Sequence, residues 1–434
     1  MTQQYTPRGR TAREIADDVE AAIRNGRLGP GSALPTVRTL ATRLGSSPTT
    51  VASAYRELRW RGIARGKGRA GTVIVSAPPV GPRTPLVVGP GVRNLLAGSP
   101  DPALLPEIPT VSPPRRAYDA SAVTPRLARL AAERFEADRI DPANLAVVGG
   151  ALDGVERVLG AWLRPGDRVA VEDPGYTAVI DLISALAYVA VPMEMDAFGV
   201  KPASLASALA SGVGAVVMTP RAQNPTGSAW DSDRARGLRR VLSRQEDVLV
   251  VEDDHAGPIA GAPAFTTCRS RGRWATIRSV SKSLGPDLRL ATVAGDEATI
   301  ARLEGRQALG TGWVSYVLQE IVAELWDDSA TEQLLARAEA SYTTRRRHLI
   351  DALSAHGIEA SCRSGLTAWV PVADEAGVVA SLLERGWAVA PGERFRIASP
   401  PAIRVGLATL SDRESWQLAG ALAEVRKLRP RRSD

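Results

Sequence analysis

Lys282 stands where an amine could do covalent chemistry. The chain has four lysines among its 54 basic residues, so arginine supplies positive charge almost everywhere. An arginine side chain stays protonated in proteins, whereas a lysine amine can lose its proton and form an imine with a carbonyl compound. Lys282 follows an apolar run and lies between two serines. This placement favours a lysine that binds a cofactor covalently; the alternative is an ordinary surface lysine.

Residues around this lysine could also bind a phosphate. Ser279 and Ser281 carry hydroxyl groups, and Arg289 follows seven residues after Lys282. Farther upstream, Gly149-Gly150-Ala151 precedes a predicted helix, and free amides at a helix N-terminus can hold a phosphate. A plain tight turn is the alternative for the glycine pair.

Three other loops could hold a flat ring. Tyr176 ends the run Glu-Asp-Pro-Gly-Tyr and could stack on a ring, or it could be a lid residue that packs on the core. Asn224, in Asn-Pro-Thr-Gly, could donate to a phenolic oxygen. Glu252-Asp253-Asp254-His255 ends a predicted strand, and one of its carboxylates could pair with a pyridinium nitrogen. The alternative for the last run is a metal site, although the chain has three histidines and no second cluster of ligands.

Arg404 lies in a short apolar run, Pro401–Leu407, near the C-terminus. A half-buried arginine needs an anion, and a carboxylate that accepts two hydrogen bonds is its natural partner. The arginine could therefore bind the carboxylate of a small molecule, or it could form an internal ion pair.

These residues fall between alternating helical patterns and short apolar runs, which begin near residue 93. The pattern predicts an α/β fold with a largely parallel, buried sheet, and ligands bind in such folds at the C-terminal ends of the strands. The predicted strands are Arg168–Val171, Tyr188–Val191, Ala215–Met218, Val248–Val251, Ala275–Ile277 and Leu290–Val293.

The first 75 residues have a different character. They carry 13 basic and 5 acidic residues, a net charge of +8, whereas the whole chain has +7. Helical patterns are predicted over 11–25, after Thr36, and from Ser47-Pro48 to about residue 61, and two short strands then flank a basic glycine-rich hairpin tip. This order is typical of a winged helix-turn-helix, and a generic three-helix interaction module is the alternative.

Several residues of this segment are predicted to contact DNA. The N-terminal end of the third helix carries small hydroxylated side chains, and that end of a recognition helix meets base edges in the major groove. Basic residues of the second helix and of the hairpin tip suit phosphate or minor-groove contacts. The predicted DNA-binding residues are Arg38, Ser47, Thr49, Thr50, Ser53, Lys67 and Arg69.

The remaining composition sets the context for both parts. A proline-rich stretch from Ser76 to Pro90 predicts an extended linker. The sequence contains no apolar run of 18 residues or more, and its first ten residues are polar, which predicts a cytoplasmic protein. Cys268 and Cys362 form no disulfide framework.

Two resemblances follow from these motifs. Gly26-Arg-Leu-Gly-Pro-Gly-Ser-Ala-Leu-Pro-Thr-Val-Arg-Thr-Leu-Ala41 and Ser47-Pro-Thr-Thr-Val-Ala-Ser-Ala-Tyr55 resemble the DNA-binding domain of the GntR family over residues 11–75. From about residue 93 to the end, the chain resembles the fold-type-I pyridoxal-phosphate enzymes of the aspartate-aminotransferase superfamily. A winged helix fused to such a domain is similar to the MocR subfamily of GntR regulators.

The resemblance implies a division into three parts: residues 1–75 as the winged helix-turn-helix domain, 76–92 as the linker, and 93–434 as an aminotransferase-like domain for cofactor binding and dimerisation. The last part would have a large, mostly parallel sheet and a smaller C-terminal α+β lobe. A homodimer is implied by the resemblance as well.

The resemblance also implies a role for each site residue. Lys282 would form the internal aldimine with pyridoxal 5'-phosphate, Asp253 would pair with the ring nitrogen, Asn224 would bond the ring hydroxyl, and Tyr176 would stack on the ring. Arg404 would take the carboxylate of an amino acid. The phosphate would be held by Gly150, Ala151, Ser279, Ser281 and Arg289.

Two features depart from the family pattern. His255 stands where a tyrosine near the ring hydroxyl is usual, which puts the tuning of the cofactor in doubt. Gly150-Ala151 replaces the commoner Ala-Gln, which leaves the backbone contacts but removes a side chain.

Three functions are compatible with the sequence. The first is a DNA-binding transcription regulator that senses pyridoxal phosphate, an amino acid or amine, or both, through an aldimine at Lys282. The second is an active aminotransferase with a self-regulatory DNA-binding domain. The third is a regulator with a vestigial cofactor site, which the intact set of predicted cofactor ligands argues against.

Overall fold

The computed structural model describes residues 5–24, 27–29, 31–60, 63–66, 71–74, 88–113, 115–269 and 271–428. The chain divides into two compact units: Met1–Pro85 with Arg164–Arg168 and Ile180–Ala190, and Leu86–Leu163 with Val169–Val179 and Val191–Asp434. The predicted contacts Lys67 and Arg69, and the predicted linker up to residue 87, lie outside the described residues. In the ranges given above, no helix is long and apolar enough to cross a membrane.

The first unit contains the three predicted helices. Thr36 caps the second helix by accepting a hydrogen bond from Thr39 N (3.2 Å), and Gly45 ends it in the left-handed region at φ 60°. Ser47 caps the third helix through Thr50 N (3.0 Å). The elements are α1 (Ala12–Arg24), β1 (Ala33–Leu34), α2 (Val37–Leu44), α3 (Pro48–Trp60), β2 (Ala64–Gly66) and β3 (Thr72–Ile74).

The helices enclose an apolar core, and the strands form a small sheet beside it. The predicted stripes of α1 and α3 are buried, with Ile15, Val19, Val51 and Leu58 at 0% exposure. Strands β2 and β3 pair antiparallel, which confirms the predicted hairpin. The sequence analysis treated residues 28–35 as a turn, whereas β1 within them also pairs with β3. A strand of two residues is too short to show alternation, so its pattern gave no signal.

The elements after residue 86 alternate between strands and helices. They are β4 (Arg93–Asn94), α4 (Pro125–Ala137), β5 (Leu145–Val148), α5 (Ala151–Trp162), β6 (Arg168–Asp173), α6 (Thr177–Ala185), β7 (Val189–Asp196), β8 (Gly199–Val200), α7 (Pro202–Ala210), β9 (Ala215–Met218), α8 (Ser232–Leu242), β10 (Leu249–Asp253), β11 (Trp274–Ser279), β12 (Ala291–Gly295), α9 (Glu297–Ala308), α10 (Tyr316–Asp327), α11 (Ser329–Ala355), β13 (Thr367–Pro371), α12 (Glu375–Glu384), β14 (Trp387–Ala388), β15 (Ala390–Pro391), β16 (Ala402–Gly406) and α13 (Asp412–Leu428).

An eight-stranded sheet forms the centre of this part, in the order β5-β12-β11-β10-β9-β6-β7-β8. Strands β6, β9, β10 and β11 pair in parallel, while β12 is antiparallel to both of its neighbours. The predicted α/β fold with a largely parallel sheet is confirmed. Because the four parallel strands end at one edge, the loops that carry the predicted site residues meet there.

A smaller C-terminal lobe contains the sheet β13-β16-β15. Its apolar core includes Ile403 and Val405 of β16, Leu349 of α11 and Leu418 of α13. Strand β4 joins this lobe by pairing in parallel with β14. The lobe positions Arg404 in a buried strand, as its short apolar run predicted.

Candidate functional site

The predicted phosphate-binding residues come together at the start of α5. Gly150 is the residue before the helix, has φ 109° and offers no side-chain cap to the first amides. A Cβ at Gly150 would lie 3.0 Å from Nη2 of Arg289, so glycine allows the guanidinium to approach the helix N-terminus. Arg289 Nη1 lies 3.5 Å from Ser281 Oγ, and Ser281 N donates to Ser279 Oγ at 3.2 Å. Free amides, hydroxyls and one guanidinium form a suitable site for a phosphate.

Asp253 ends β10 with a carboxylate that lacks part of its hydrogen bonding. The residue is 5% exposed, and within the described chain its buried Oδ1 has no hydrogen-bond partner. Burial, followed by the negative charges of Asp254 and Glu172, raises the pKa of Asp253 to about 7. A protonated ring nitrogen would supply both the missing donor and a compensating charge.

The neighbouring Asp254 is held by two arginines that the sequence analysis did not identify. Arg221 donates from Nε to Oδ1 (2.9 Å) and from Nη2 to Oδ2 (2.8 Å), and Arg278 Nε donates to Oδ2 at 3.1 Å. Burial alone would raise the pKa of Asp254, but the charges of Arg221 and Arg278 hold it well below its usual range. Both oxygens of this carboxylate therefore bind guanidinium groups. Among the described residues, no cluster of three His, Cys, Asp or Glu side chains could hold a metal ion.

Gln223 fixes the loop that carries Asn224. Its Nε2 donates to Glu172 Oε2 (3.0 Å) and to Pro174 O (2.9 Å), while its Oε1 accepts from Thr226 N (3.0 Å). These bonds connect the loop after β9 with the loop after β6. The sequence analysis missed Gln223, because only the fold brings its partners into range.

Lys282 and Arg404 are the two buried cations of the site. Lys282 donates from Nζ to the carbonyl of Gly98, and burial, followed by the charge of Arg404, lowers the pKa of the amine to about 8. Arg404 donates from Nη1 to Asn224 Oδ1 (3.0 Å) and from Nη2 to the carbonyl of Leu96. Its guanidinium carbon lies 4.5 Å from the ring centroid of Phe395.

Arg404 has neutral acceptors and no anion. It is 7% exposed, its buried Nε has no partner within the described chain, and burial lowers its pKa to about 10. No carboxylate of the described residues forms an ion pair with it, so the alternative of an internal ion pair finds no support there. A buried guanidinium without an anion suits the carboxylate of a ligand.

His255 and Tyr176 also lie at this edge of the sheet. His255 Nδ1 is 3.9 Å from Asp253 Oδ2, and the imidazole forms a hydrogen bond with the backbone of Ala222. Burial, followed by the charge of Lys282, lowers the pKa of His255 to about 4, so the ring is neutral near pH 7. Tyr176 lies between β6 and α6 with 38% of its surface exposed.

In the first unit, the described residues that are predicted to contact DNA lie on accessible helix surface. Arg38, Ser47 and Thr49 are exposed, and Thr50 and Ser53 are half-buried. Thr50 Oγ1 lies 2.8 Å from Ser47 Oγ, and Arg56 Nη2 donates to Ser53 Oγ at 2.9 Å. Their contact with bases stays a prediction.

Comparisons with known proteins agree with both units. Residues 11–74 match the family described as bacterial regulatory proteins, gntR family, and residues 107–422 match aminotransferase class I and II. The chain is 38% identical over 430 residues to the vitamin B6 salvage pathway transcriptional repressor PtsJ of Salmonella typhimurium, which covers 96% of this chain and 99% of that protein.

A second relative is the pyridoxine biosynthesis transcriptional regulator PdxR of Corynebacterium glutamicum, with 28% identity over 261 residues, 56% of this chain and 55% of that protein. Among solved structures, the kynurenine aminotransferase of Pyrococcus horikoshii, in complex with PMP, has a TM-score of 0.70 at 21% identity. It covers 78% of this chain and 91% of that chain, and it shows the fold alone. The chain therefore belongs to the MocR subfamily of GntR transcription regulators, in which an aminotransferase class I and II domain follows the DNA-binding domain.

Proposed function

We propose that this regulator binds pyridoxal phosphate at Lys282, and that occupancy of the site by the cofactor or by an amino compound changes its affinity for DNA. The observation that carries the proposal is Asp253, a buried carboxylate whose Oδ1 lacks a partner in the described chain, in the same site as a lysine with a lowered pKa. The two relatives are named for vitamin B6 salvage and pyridoxine biosynthesis. Genes that supply vitamin B6 are therefore the proposed targets.

The residues present fit the cofactor. Pyridoxal phosphate supplies an aldehyde that condenses with amines and a ring that withdraws electrons from the attached carbon. Lys282 would hold the aldehyde carbon, Asp253 the ring nitrogen, Asn224 the ring hydroxyl and Tyr176 the ring face. The phosphate would be held by Gly150, Ala151, Ser279, Ser281 and Arg289.

Arg404 would recognise the carboxylate of the amino compound. Its present partners, Asn224 Oδ1 and the carbonyl of Leu96, are neutral, and a charged carboxylate forms the stronger hydrogen bonds. The preferred effector is therefore an amino acid rather than a simple amine.

DNA binding in the presence of ligands tests the proposal. A DNA sequence selected from a random library by the full chain would be labelled, and its affinity measured by fluorescence anisotropy with pyridoxal phosphate, with amino acids and with both. We expect a change of about 5- to 150-fold, the usual range of allosteric coupling. Lys282→Ala should bind the same DNA without the response. An affinity that no ligand changes contradicts the proposal.

Transamination is the second candidate function. A lysine amine with a pKa of about 8 beside a buried arginine suits proton transfer on a bound amino acid as well as sensing. Multiple-turnover assays with pairs of amino acids and keto acids separate the two functions. A regulator should stop after a half-reaction at most, whereas an enzyme should continue.

A further inference from the structure

Two main-chain carbonyls near the start of the second unit hold the two cations of the site. Lys282 donates to the carbonyl of Gly98, and Arg404 donates to the carbonyl of Leu96. In the proposed function, these cations bind the cofactor and the effector. The same donors therefore serve both the ligand site and a short segment of chain, residues 96–98.

This segment is anchored on either side. Before it, Leu95 N donates to Ala388 O (2.8 Å), and Leu95 O accepts from Gly406 N (2.9 Å). After it, Asp101 N donates to the hydroxyl of Tyr342 (3.0 Å). The backbone is thus fixed at residues 95 and 101, on the C-terminal lobe and on α11.

Between these anchors, the position of residues 96–98 depends on the two cations. Within the described chain, Arg404 and Lys282 are the hydrogen-bond partners of residues 96–98 from outside the local segment; the other bond is local, from Leu96 N to Asn94 Oδ1 (3.0 Å). Ala97 is exposed. A Cβ at Gly98 would lie 2.9 Å from Thr367 Cγ2, so the segment also lies close against β13.

We propose that residues 96–98 report occupancy of the site to the DNA-binding unit by exchanging these two hydrogen bonds for freedom. The inference rests on the proposed function. An Arg404 guanidinium that binds a carboxylate with both of its terminal nitrogens, and a Lys282 amine that is engaged by the cofactor, no longer hold the carbonyls of Leu96 and Gly98. The predicted linker ends at residue 92, so the released segment lies four residues after the chain that leads to the DNA-binding unit.

A spin label on the segment measures this release directly. Ala97→Cys provides an exposed labelling site, Cys362→Ser removes one of the two native thiols, and Cys268 is buried. Electron paramagnetic resonance of the full chain would be recorded alone, with pyridoxal phosphate, and with pyridoxal phosphate plus L-alanine or L-glutamate. We expect an immobilised label without ligand and a mobile label with cofactor and amino acid together.

Variants without ligand provide the second arm. Arg404→Met frees the carbonyl of Leu96, so the label should become mobile and the DNA affinity should move at least about fivefold toward the liganded value. Arg396→Met is the matched control, because Arg396 pairs with Glu375 (2.9 Å) in the same lobe and makes no hydrogen bond to residues 96–98. Circular dichroism confirms that each variant is folded, and Lys282→Ala repeats the test at Gly98.

The outcomes separate this inference from the proposed function. DNA affinity that responds to ligands while the label stays immobile overturns the inference and leaves the proposed function standing. A label that becomes mobile while DNA affinity stays constant overturns the coupling. If neither responds, the proposed function fails as well. Mobility and affinity that change together, in Arg404→Met but not in Arg396→Met, support the inference.

Discussion

The rate at which Lys282 captures pyridoxal phosphate should rise with pH and level off above about pH 8. Only the neutral amine is a nucleophile, and burial with the charge of Arg404 lowers the pKa of Lys282 from 10.5 to about 8. At a pH of about 7.5, a pKa of about 8 leaves roughly one quarter of the amine neutral, compared with roughly one in a thousand for an ordinary lysine. The site should therefore hold about 200-fold more of the reactive form.

Stopped-flow absorbance tests this prediction. Cofactor-free protein would be mixed with excess pyridoxal phosphate across the range from about pH 6 to about pH 10, with Nα-acetyl-lysine as the control for ionisation of the cofactor itself. The midpoint for the protein should lie near pH 8, and that for the free amine near its ordinary pKa of about 10.4. Coincident midpoints would refute the argument that burial sets the reactivity of Lys282.

Arg404→Met extends the same test. It removes the second of the two causes and should move the midpoint upward. Because burial is the larger cause, the midpoint should still lie below that of the free amine. A downward shift would contradict the assignment of Arg404 as the charge that lowers the pKa of Lys282.

Three further predictions concern other residues. Asp253→Asn removes the charge that would face the ring nitrogen and should weaken cofactor binding by about 2 kcal/mol or more, roughly 30-fold, in an absorbance titration; the exposed Asp247→Asn should have no effect. Arg221→Met leaves the buried Asp254 undercompensated and should lower the free energy of unfolding by about 3 kcal/mol in urea, and adding Asp254→Asn should restore part of it. Arg38→Ala should weaken binding to all DNA sequences alike and reduce the slope of log affinity against log salt by about one.

The DNA-binding unit was predictable in outline because its signals are local. Thr36 and Ser47 cap helices within three residues of themselves, and Gly45 ends one with a left-handed backbone. The loops of the cofactor site were predictable for a related reason. Each predicted ligand directly follows an apolar strand, and parallel strands bring their ends to a common edge.

The support of the site could not be predicted, because it depends on contacts that are distant in sequence. Arg221 and Arg278 lie 33 and 24 residues from Asp254 in sequence, and no periodicity relates them. The contacts of Lys282 with Gly98 and of Arg404 with Leu96 span 184 and 308 residues. A buried charge shows that some partner must exist, but only the fold identifies which one.

A complete set of cofactor ligands does not by itself distinguish a sensor from an enzyme. Recognition of an amino compound through a bound aldehyde needs a nucleophilic amine, an anion for the ring and a guanidinium for the carboxylate, whether or not turnover follows. The difference lies in where the binding free energy goes. In an enzyme it must stabilise the transition state, whereas in a regulator it must stabilise one arrangement of the DNA-binding units over another. Lys282 and Arg404 each hold a carbonyl of the segment that follows the predicted linker, so a ligand that takes both cations necessarily alters that segment. Contacts of this kind favour the regulator, since ligand binding then changes the chain at the point that leads to the DNA.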